Sequence, residues 1–371
     1  MRLRSADFFL CRLAYRLSGV LKLFGDMETD YLRDRLDDIK LEQPVFITGL
    51  ARSGTTILLT LFARLDLVGT HRYRDFPFLF TPYWWNWCNE RLGQAVPPVE
   101  RPHKDRIKIN RDSPDAFEEP IWTHFFPFVH DPDALHILTP DHDNPQFDAF
   151  LKDHLRKILL LRGKQRYVSK GNYNLTRLPY IANMFPDARF VIPIRHPVDH
   201  VDSLVRQHRL FTAYSAEDKR VPDYLRAAGH FEFGPQRMPI NVDSENAGRI
   251  IEAWEKQNDH LGYAIAWQAV YAHVVGIAAR DAVLGRRIKF VRYEDLCAEP
   301  VAVVGKLLTF CGLAERAEGL LRSLPKISAP ARGNDAPSVR EVDAIWRETS
   351  KVAESFGYQR QGFTAYDAGA Q

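Results

Sequence analysis

The chain has 371 residues, of which 45% are hydrophobic and 26% are charged, and its net charge is +3. This composition excludes a disordered or fibrous protein and allows one large α/β domain or two smaller ones. The net charge is too small to predict nucleic acid as a partner, although it suits a locally basic pocket for an anionic ligand.

The N-terminal segment predicts an amphipathic helix. Its apolar residues recur at helical spacing and basic residues interrupt them, so it fits neither a membrane span nor a secretory signal. The apolar positions are Phe8, Phe9, Leu10, Leu13, Ala14, Leu17, Val20 and Leu21. Such a helix either packs on the domain or lies on a membrane surface. A charged helical stretch follows, so we assign residues 1–40 to N-terminal helices, 41–360 to one domain and 361–371 to a tail.

Residues 44–62, PVFITGLARSGTTILLTLF, predict a strand, a phosphate-sized loop and a helix. Backbone N–H groups in such a loop, aimed from a helix N-terminus, bind anions. The spacing from Gly49 to Gly54 matches a P-loop, but Thr55 stands where a nucleotide triphosphatase needs lysine. The cradle for an anion is therefore present, whereas the lysine that would hold a β- or γ-phosphate is absent.

The remaining elements alternate between strands and helices. Strands are predicted at 67–71, 167–172, 189–194 and 288–291, and helices at 147–162, 175–185, 250–279, 301–311 and 342–356. Pro193 indicates that its strand lies at an edge or ends there. Residues 97–115 are interpreted as a surface excursion, and residues 211–243 as irregular excursions over the site. The alternation predicts an α/β fold: a P-loop NTPase-like three-layer sandwich with a central, mostly parallel sheet and helices on both faces.

Polar residues follow several of these strands. Besides the strand before the first loop, Lys170 ends a second strand, Arg195 follows a third and Tyr293 follows a fourth. Ser203 joins Arg195 from the next helix. In such sheets ligands bind outside the carboxyl ends of the strands. Two separate basic anchors, the first loop and Arg195, predict a ligand with two anionic ends.

At this point the sequence resembles the PAPS-dependent sulfotransferases (PAPS is 3′-phosphoadenosine 5′-phosphosulfate), and most closely their bacterial and protein-tyrosine sulfotransferase branch. Four blocks carry the resemblance over most of the chain after residue 41. They are GLARSGTT at 49–56, VSKGNYNLTRLPYIANMFPDARFVIPIRHPVDHVDSL at 168–204, KFVRYEDLCAEP at 289–300 and FGY at 356–358.

The resemblance implies roles for individual residues. The residues that match the family's 5′-phosphosulfate loop are Arg52, Ser53, Gly54, Thr55 and Thr56. Arg195 and Ser203 match the pair that binds the 3′-phosphate. Lys170 matches a lysine near the transferring sulfuryl group, and Tyr293 matches a tyrosine near the cofactor. Arg332 lies where the family places a flexible segment that covers the cofactor, although SAPARGNDAPS departs from the better-known patterns.

The chemistry of sulfuryl transfer agrees with these roles. Transfer to an alcohol resembles phosphoryl transfer, an in-line displacement in which the protein mainly positions and neutralises. Backbone N–H groups with Arg52 and Lys170 can do this for a monoanionic sulfuryl group. Because no Mg²⁺ is needed to bridge a triphosphate, the missing loop lysine fits PAPS as co-substrate and predicts no metal.

The base that accepts the acceptor's proton has several candidates. The related branch has a carboxylate shortly after the first helix and strand, which makes Asp75 the first choice and His71 the second. Glu118 or Glu119 is the third. Either Asp75 or His71 could equally be the structural partner of a neighbouring arginine. If Asp75 is the base, Asp75→Asn leaves cofactor binding intact and removes most turnover.

Two other functions remain open at this stage. A P-loop kinase using ATP or GTP would need a lysine in the loop and carboxylates for Mg²⁺. A non-catalytic nucleotide-binding or interaction protein would have a decayed site. The presence of Lys170, Arg195 and Ser203 beside the loop is evidence against such decay.

We expect the acceptor to be a hydroxyl, or an amine, of a small molecule, lipid or glycan. Dense aromatic segments at 76–87 and 122–128 fit either the core, a subunit contact or the wall of an acceptor pocket. The four cysteines lack CxxC spacing, which favours reduced thiols over a disulfide framework or zinc. We therefore expect a cytoplasmic protein, with peripheral membrane contact through the N-terminal helix as a further option and the oligomeric state open.

Overall fold

The structure of the protein is a computed structural model that describes residues 3–92, 97–105, 107–327 and 336–360. The helices, labelled α1 to α16 in chain order, are Ser5–Arg16, Ser18–Asp37, Thr55–Phe62, Pro82–Leu92, Glu119–Phe125, Pro145–Arg162, Leu178–Met184, Pro197–Glu217, Val221–Ala227, Ser244–Glu255, Asp259–Arg280, Ala282–Gly285, Tyr293–Ala298, Pro300–Phe310, Ala317–Arg322 and Val339–Ser355. The strands, labelled β1 to β7, are Val45–Ile47, Val68–Gly69, Val99–Glu100, Lys108–Ile109, Arg166–Lys170, Arg189–Ile194 and Ile288–Arg292.

Five strands form a parallel sheet in the order β2-β5-β1-β6-β7, and β3 pairs with β4 in a separate antiparallel hairpin. Ile47, the last residue of β1, is in register with Lys170 of β5 and with Val191 of β6. The loop after β1, the end of β5 and the segment after β6 therefore meet at one edge of the sheet. Pro193 lies next to the carboxyl end of β6, which is an inner strand.

The sheet is buried on both faces because alternate strand residues enter different cores. Phe46 and Phe190 pack with residues of α6, α7 and α11 in one core. Val45, Ile47 and Val191 pack with residues of α3 and α14 in the other. This arrangement confirms the predicted three-layer α/β sandwich.

The N-terminal helices pack against the domain. Leu32 and Leu36 on the inner face of α2 are buried, and α2 lies against α6. Lys157 of α6 forms a buried ion pair with Glu28 (Nζ–Oε2, 3.1 Å) and donates to the carbonyl of Gly25 (2.7 Å). The domain boundaries drawn from the sequence stay predictions, and residues 361–371 lie outside the described part of the chain.

Within the described residues, α11 is the one helix that is long and apolar enough to cross a membrane by length and composition. It packs against α8, α10 and α16, and its residues Trp267 and Tyr271 are fully buried. These are the contacts of a core helix, so its composition is weak grounds for a membrane span.

Two predicted segments differ from the structure. The helix predicted at 250–279 is divided into α10 and α11 because Gln257 has a φ of +58° and Asn258 begins a new helix, its side chain accepting from the N–H of Leu261 (3.2 Å). In the surface excursion predicted at 97–115, the described residues Arg101 and Asp105 instead lie over the carboxyl edge of the sheet, where they contact the loop after β1.

Candidate active site

A cleft of about 640 Å³ opens at the carboxyl ends of the parallel strands. Two groups of polar residues line it. The group that we call the anion end comprises Arg52, Thr55, Thr56, Arg195 and Ser203. The group that we call the histidine end comprises Lys170, Asn172, His230 and Glu232.

The loop between β1 and α3 forms the floor of the anion end. Gly54 has a φ of +107°, and a Cβ there would lie 2.8 Å from the ring of Tyr293, so glycine is required on both counts. The first helical bond of α3 runs from the N–H of Leu58 to the carbonyl of Gly54. The N–H groups of Thr55 and Thr56 therefore precede the helical ladder at a helix N-terminus, which is an anion-binding arrangement.

The structure brings together cationic residues that are far apart in the sequence. Arg52, which has a φ of +72°, donates to the hydroxyl of Ser203 on α8 (3.3 Å). Arg195 is buried after β6, with its guanidinium 5.5 Å from the centre of the Tyr293 ring. One cleft is thus lined by the loop after β1 and by Arg195, Ser203 and Tyr293, as the sequence predicts.

The β3–β4 hairpin covers the anion end. Asp105 accepts from Arg52 (2.8 Å) and is bound bidentately by Arg101, and Arg101 also donates to the hydroxyl of Thr56 (3.3 Å). Gln207 of α8 holds the hairpin by donating to the carbonyl of His103 (3.0 Å). The carboxylate of Asp105 therefore already neutralises the loop arginine.

Ion pairing also organises the histidine end. Lys170 lies 3.0 Å from the carboxylate of Asp115, which accepts in addition from the hydroxyl of Tyr73 (2.5 Å). Burial alone would raise the pKa of Asp115, but the charges of Lys170 and Arg101 outweigh it and hold that pKa well below its usual range. Asp115 is thus an ionised partner that holds Lys170 in place.

His230 and Glu232 form a dyad on the segment between α9 and α10. The imidazole Nδ1 lies 3.6 Å from the carboxylate of Glu232, and the His230 side chain is 38% exposed, towards the cleft that it lines. Asn172 donates to Glu232 (2.7 Å) and fixes the carboxylate. Gly229 makes the preceding turn with a φ of +78°, and a Cβ there would lie 2.6 Å from Glu119. The dyad is therefore held from two sides.

The two histidines of the cleft differ in basicity. Burial lowers the pKa of His103, and the nearby charges of Arg101 and Arg52 lower it further, to about 3. Burial acts in the same direction on His230, but the carboxylate of Glu232 outweighs it, so the pKa of His230 is raised. A base near neutral pH needs a pKa in that range, which favours His230 over His103.

Asp75 and His71, the first choices for the base, lie outside the cleft. Asp75 is fully buried and pairs with Arg162 (2.5 and 2.6 Å) and with the side-chain amide of Asn86 (2.8 Å). His71 is also buried, with Nε2 3.0 Å from Nε2 of His154. A base must reach the proton that it accepts, and neither residue is among those that line the cleft, so this placement in a buried cluster does not favour the catalytic roles predicted for them.

The other candidates have structural partners as well. Glu118 accepts from the hydroxyl of Tyr167, and Glu119 pairs with Arg177 and His130.

Ser53 has a buried side chain, and its N–H donates to the carbonyl of Leu50, so it does not face the cleft. The aromatic segments at 76–87 and 122–128 contribute none of the described lining residues. Arg332 lies outside the described residues.

Sequence reasoning missed Arg101, Asp105, Asp115, His230 and Glu232. They lie on segments without helical or strand period, and their partners are remote in the chain. One local signal exists: the pattern His-x-Glu at 230–232 places an imidazole and a carboxylate two residues apart in the chain.

Taken together, the anion end of the cleft holds two arginines, Arg52 and Arg195, that can bind a ligand with two anionic groups. Next to them lie a charged lysine and a histidine oriented by a carboxylate. Such a site can bind a doubly anionic donor, neutralise charge in a transferred group and accept a proton from a hydroxyl.

Comparisons with known proteins bear on the family and the fold of the chain. The family model described as the Sulfotransferase family matches residues 44–252. Sulfotransferase STF9 from Mycobacterium avium is similar in structure, with a TM-score of 0.50 and 15% identity over 90% of this chain and 82% of that one. Sulfotransferase STF1 from Mycobacterium tuberculosis H37Rv aligns with a TM-score of 0.49 and 15% identity over 93% and 84%. At such identity the first likeness shows a shared fold. No curated protein sequence matches the chain.

Proposed function

Because the chain belongs to the sulfotransferase family, we propose that it moves the sulfuryl group of PAPS to a hydroxyl, or an amine, and releases 3′,5′-adenosine bisphosphate. The reaction is an in-line displacement: the acceptor oxygen bonds to sulfur, the bond from sulfur to the donor's phosphate oxygen breaks, and the acceptor loses a proton.

The observation that carries the proposal is that the loop after β1 and the segment after β6 bring Arg52 and Arg195 into one cleft. PAPS has a phosphosulfate at one end and a 3′-phosphate at the other. The loop of Thr55 and Thr56 with Arg52 suits the first, and Arg195 with Ser203 suits the second. Thr55 in place of a P-loop lysine further supports a donor without a β,γ-phosphate pair.

Neutralisation of charge is the protein's largest contribution in this scheme. The transition state carries charge on the equatorial sulfuryl oxygens and on the leaving phosphate. The N–H groups at the start of α3 point the positive ends of their dipoles at these oxygens, and Arg52 and Lys170 add positive charges beside them. Lys170 is preorganised because Asp115 holds its ammonium group at 3.0 Å.

His230 is the base in this proposal. Its Nδ1 faces Glu232, which leaves Nε2 to accept the acceptor's proton, and the adjacent carboxylate stabilises the imidazolium that forms. Leu225 and Phe233 line the cleft as apolar residues, which supports a small-molecule, lipid or glycan acceptor with an apolar part. All four cysteines are free thiols, which supports the cytoplasm as the place of reaction.

A thermal-shift titration tests the donor. We expect 3′,5′-adenosine bisphosphate to raise the melting temperature, and ATP or GTP with Mg²⁺ to have little effect. Arg195→Gln should abolish most of the shift, whereas the control Arg249→Gln, which removes a surface ion pair with Glu348, should retain it. Stabilisation by a nucleoside triphosphate with Mg²⁺, and none by the bisphosphate, would overturn the proposal.

A second experiment identifies the acceptor. A cell extract is incubated with the protein and PAPS carrying a heavy sulfur isotope, and new products are found by their mass difference. Products that require the protein and its Arg195 define the acceptor class. Labelled inorganic sulfate as the only product would show hydrolysis in place of transfer.

A further inference from the structure

A second cavity, of about 390 Å³, lies between the N-terminal helices and the domain. Its described walls come from α1, the start of α2, residues 76–80, α5 and the end of α9, and we call it the α1 cavity. No described residue lines both this cavity and the cleft at the carboxyl ends of the strands. Its volume falls in the range of small-molecule sites, about 300–1,000 Å³, so it is large enough to be a separate binding site.

The elements around the α1 cavity are held in place by contacts outside it. Arg220, which precedes α9, donates to the carbonyl of Leu3 (3.0 Å) and to the hydroxyl of Ser5 at the start of α1 (3.2 Å). On the other side, Glu28 of α2 forms its buried ion pair with Lys157 of α6. Both N-terminal helices are therefore fixed to the domain, and the cavity between them and the domain is preformed.

The inner end of the α1 cavity is apolar. Its walls there are buried side chains, namely Cys11, Ala14, Leu79, Phe80 and Ala227. Burial raises the pKa of the Cys11 thiol to about 12, so this thiol stays neutral and behaves as a small apolar group. Because water would find few hydrogen-bond partners among these side chains, an apolar ligand group suits this end better than water does.

The outer end of the α1 cavity is polar and positively charged. Arg16 is exposed there, and no other described lining residue is a lysine, an arginine or a carboxylate. Two residues further along the chain, the hydroxyl of Ser18 lies 3.3 Å from Nδ1 of His124 on α5. Burial lowers the pKa of His124, and the positive charge of Lys22 lowers it further. A neutral hydrogen-bonding pair thus lies in a positive field near Arg16.

We propose that the α1 cavity binds a medium-chain carboxylate. The chain lies against Leu79 and Phe80, and the carboxylate meets Arg16 and the pair of Ser18 and His124. A guanidinium binds a carboxylate through parallel N–H donors, and a hydroxyl or a ring N–H adds a further hydrogen bond. A cavity of about 150 Å³ takes benzene, so this larger one has room for roughly ten to fifteen carbon atoms. The inference does not depend on the proposed reaction.

The charges favour a carboxylate over other ligands. A nucleotide such as PAPS carries several negative charges, whereas Arg16 is the one cation among the described lining residues. A quaternary ammonium suits aromatic side chains such as Phe76 and Phe80, but it would be repelled by Arg16 and would meet no carboxylate among the described walls. A single negative charge on an apolar body is the combination that matches both ends.

Isothermal titration calorimetry of the full chain tests the class of ligand. The probes are decanoate, 1-decanol and decyltrimethylammonium below their micelle or solubility limits, because they share a chain length and differ in the charge of the head group. We expect one equivalent of decanoate to bind with a dissociation constant of about 10–100 µM, and the other two to bind more weakly. Saturation with 3′,5′-adenosine bisphosphate should leave decanoate binding unchanged, because the bisphosphate occupies the cleft.

The variant Arg16→Gln tests the outer end. Loss of one exposed ion pair should weaken decanoate binding by about two- to fivefold and leave decanol binding unchanged. Arg12→Gln is the matched control, because Arg12 is exposed on the same helix but is not among the lining residues. Its affinity for decanoate should equal that of the parent.

The variant Ala14→Leu tests the inner end by filling it. The added side chain takes apolar volume, so decanoate and decanol should both bind at least about tenfold more weakly. Ala6→Leu is the matched control, because Ala6 is exposed on α1 outside the cavity, and it should bind both probes like the parent. Ala227→Leu fills the same end from α9 and carries the same expectation, and circular dichroism checks the folding of each variant.

Three results would overturn the inference. Absence of decanoate binding up to about 1 mM would show that the cavity does not take such a ligand. Equal binding of decanoate and decanol, with no effect of Arg16→Gln, would assign the cavity to uncharged apolar ligands. Decanoate binding that survives both Ala14→Leu and Ala227→Leu, or that 3′,5′-adenosine bisphosphate displaces, would place the carboxylate elsewhere on the protein.

Discussion

The two ends of the cleft are built in different ways. At the anion end, the loop after β1 and Arg195 after β6 are fixed by the sheet itself, because each follows one of two adjacent parallel strands at the same edge of the sheet. At the histidine end, His230 and Glu232 lie on a segment between helices that is held only by tertiary contacts such as that from Asn172. The anion end and Lys170 are thus set by topology, whereas the His230–Glu232 dyad is set by packing.

This difference has a functional consequence under the proposed reaction. A donor common to a whole family suits a site determined by strand ends, whereas the acceptor meets residues on segments that can change without disturbing the sheet. Substitutions of His230 and Glu232 should therefore alter turnover without loss of donor binding. The following experiments separate the two ends, using the acceptor found with labelled PAPS.

The largest effect is expected for His230→Gln. Loss of a positioned base lowers kcat by about 10²- to 10⁴-fold. Binding of 3′,5′-adenosine bisphosphate, measured by calorimetry, should stay unchanged because His230 does not belong to the anion end. In the parent, kcat/KM should rise with pH through the raised pKa of His230, since only the neutral imidazole accepts a proton.

The control for this variant is His260→Gln. His260 also pairs with a glutamate, with Nδ1 3.0 Å from Glu341, but it is not among the residues that line the cleft. Its replacement should leave kcat and the pH profile as in the parent. A His230→Gln variant that keeps the parent's kcat and pH profile would exclude His230 as the base.

Asp75→Asn should act on stability and not on turnover. It leaves the buried guanidinium of Arg162 without its carboxylate, and breaking a buried ion pair costs about 3–5 kcal/mol. We expect the free energy of unfolding, measured with urea, to fall by an amount in that range. The kcat of the folded fraction should remain that of the parent.

Asp112→Asn provides the comparison for Asp75. Asp112 is half exposed and pairs with Arg74, so its loss should cost no more than about 1 kcal/mol. A large loss of kcat in folded Asp75→Asn would instead indicate that Asp75 takes part in the reaction. The buried cluster around Asp75 and the histidine end would then not be independent.

The same contrast explains what the sequence could predict. The strands, the loop, Lys170 and Arg195 follow from hydrophobic period and from the rule that ligands bind at strand ends. The buried ion pair of Asp75 could not be predicted from the sequence, because its partner Arg162 is remote in the chain and no local pattern shows that both are buried. Likewise, the proline and charge content of residues 97–115 indicates a surface loop, while the pairing of Asp105 with Arg52 depends on tertiary structure.

Asp105→Asn sharpens the description of the anion end. The carboxylate of Asp105 lies 2.8 Å from Arg52 and competes with any ligand anion for that guanidinium. Removal of its charge leaves Arg52 and Arg101 free to attract the donor, and we expect the affinity for 3′,5′-adenosine bisphosphate to rise by about tenfold. Calorimetric titration at two salt concentrations measures this gain, which salt should reduce.

The control here is Asp218→Asn, which removes the surface partner of Arg220 and should leave the affinity unchanged. Weaker binding by Asp105→Asn would mean that Asp105 orients Arg52 for the ligand and does not compete with it. The β3–β4 hairpin would then be a support of the anion end, and its carboxylate part of the binding geometry.

The smallest effect, and the most diagnostic for the histidine end, is expected from Glu232→Gln. Burial lowers the pKa of His230 and the Glu232 carboxylate raises it, so removal of that charge must lower it. The rising limb of kcat/KM should move to lower pH. The plateau should fall by a few-fold, because a weaker base accepts the proton less readily. The affinity for 3′,5′-adenosine bisphosphate should not change. A rising limb of kcat/KM that stays at the parent's pH would show that the titrating group is not His230. A shift of that limb in Glu232→Gln, with no shift in His260→Gln, would assign the pH profile of the reaction to the His230–Glu232 dyad.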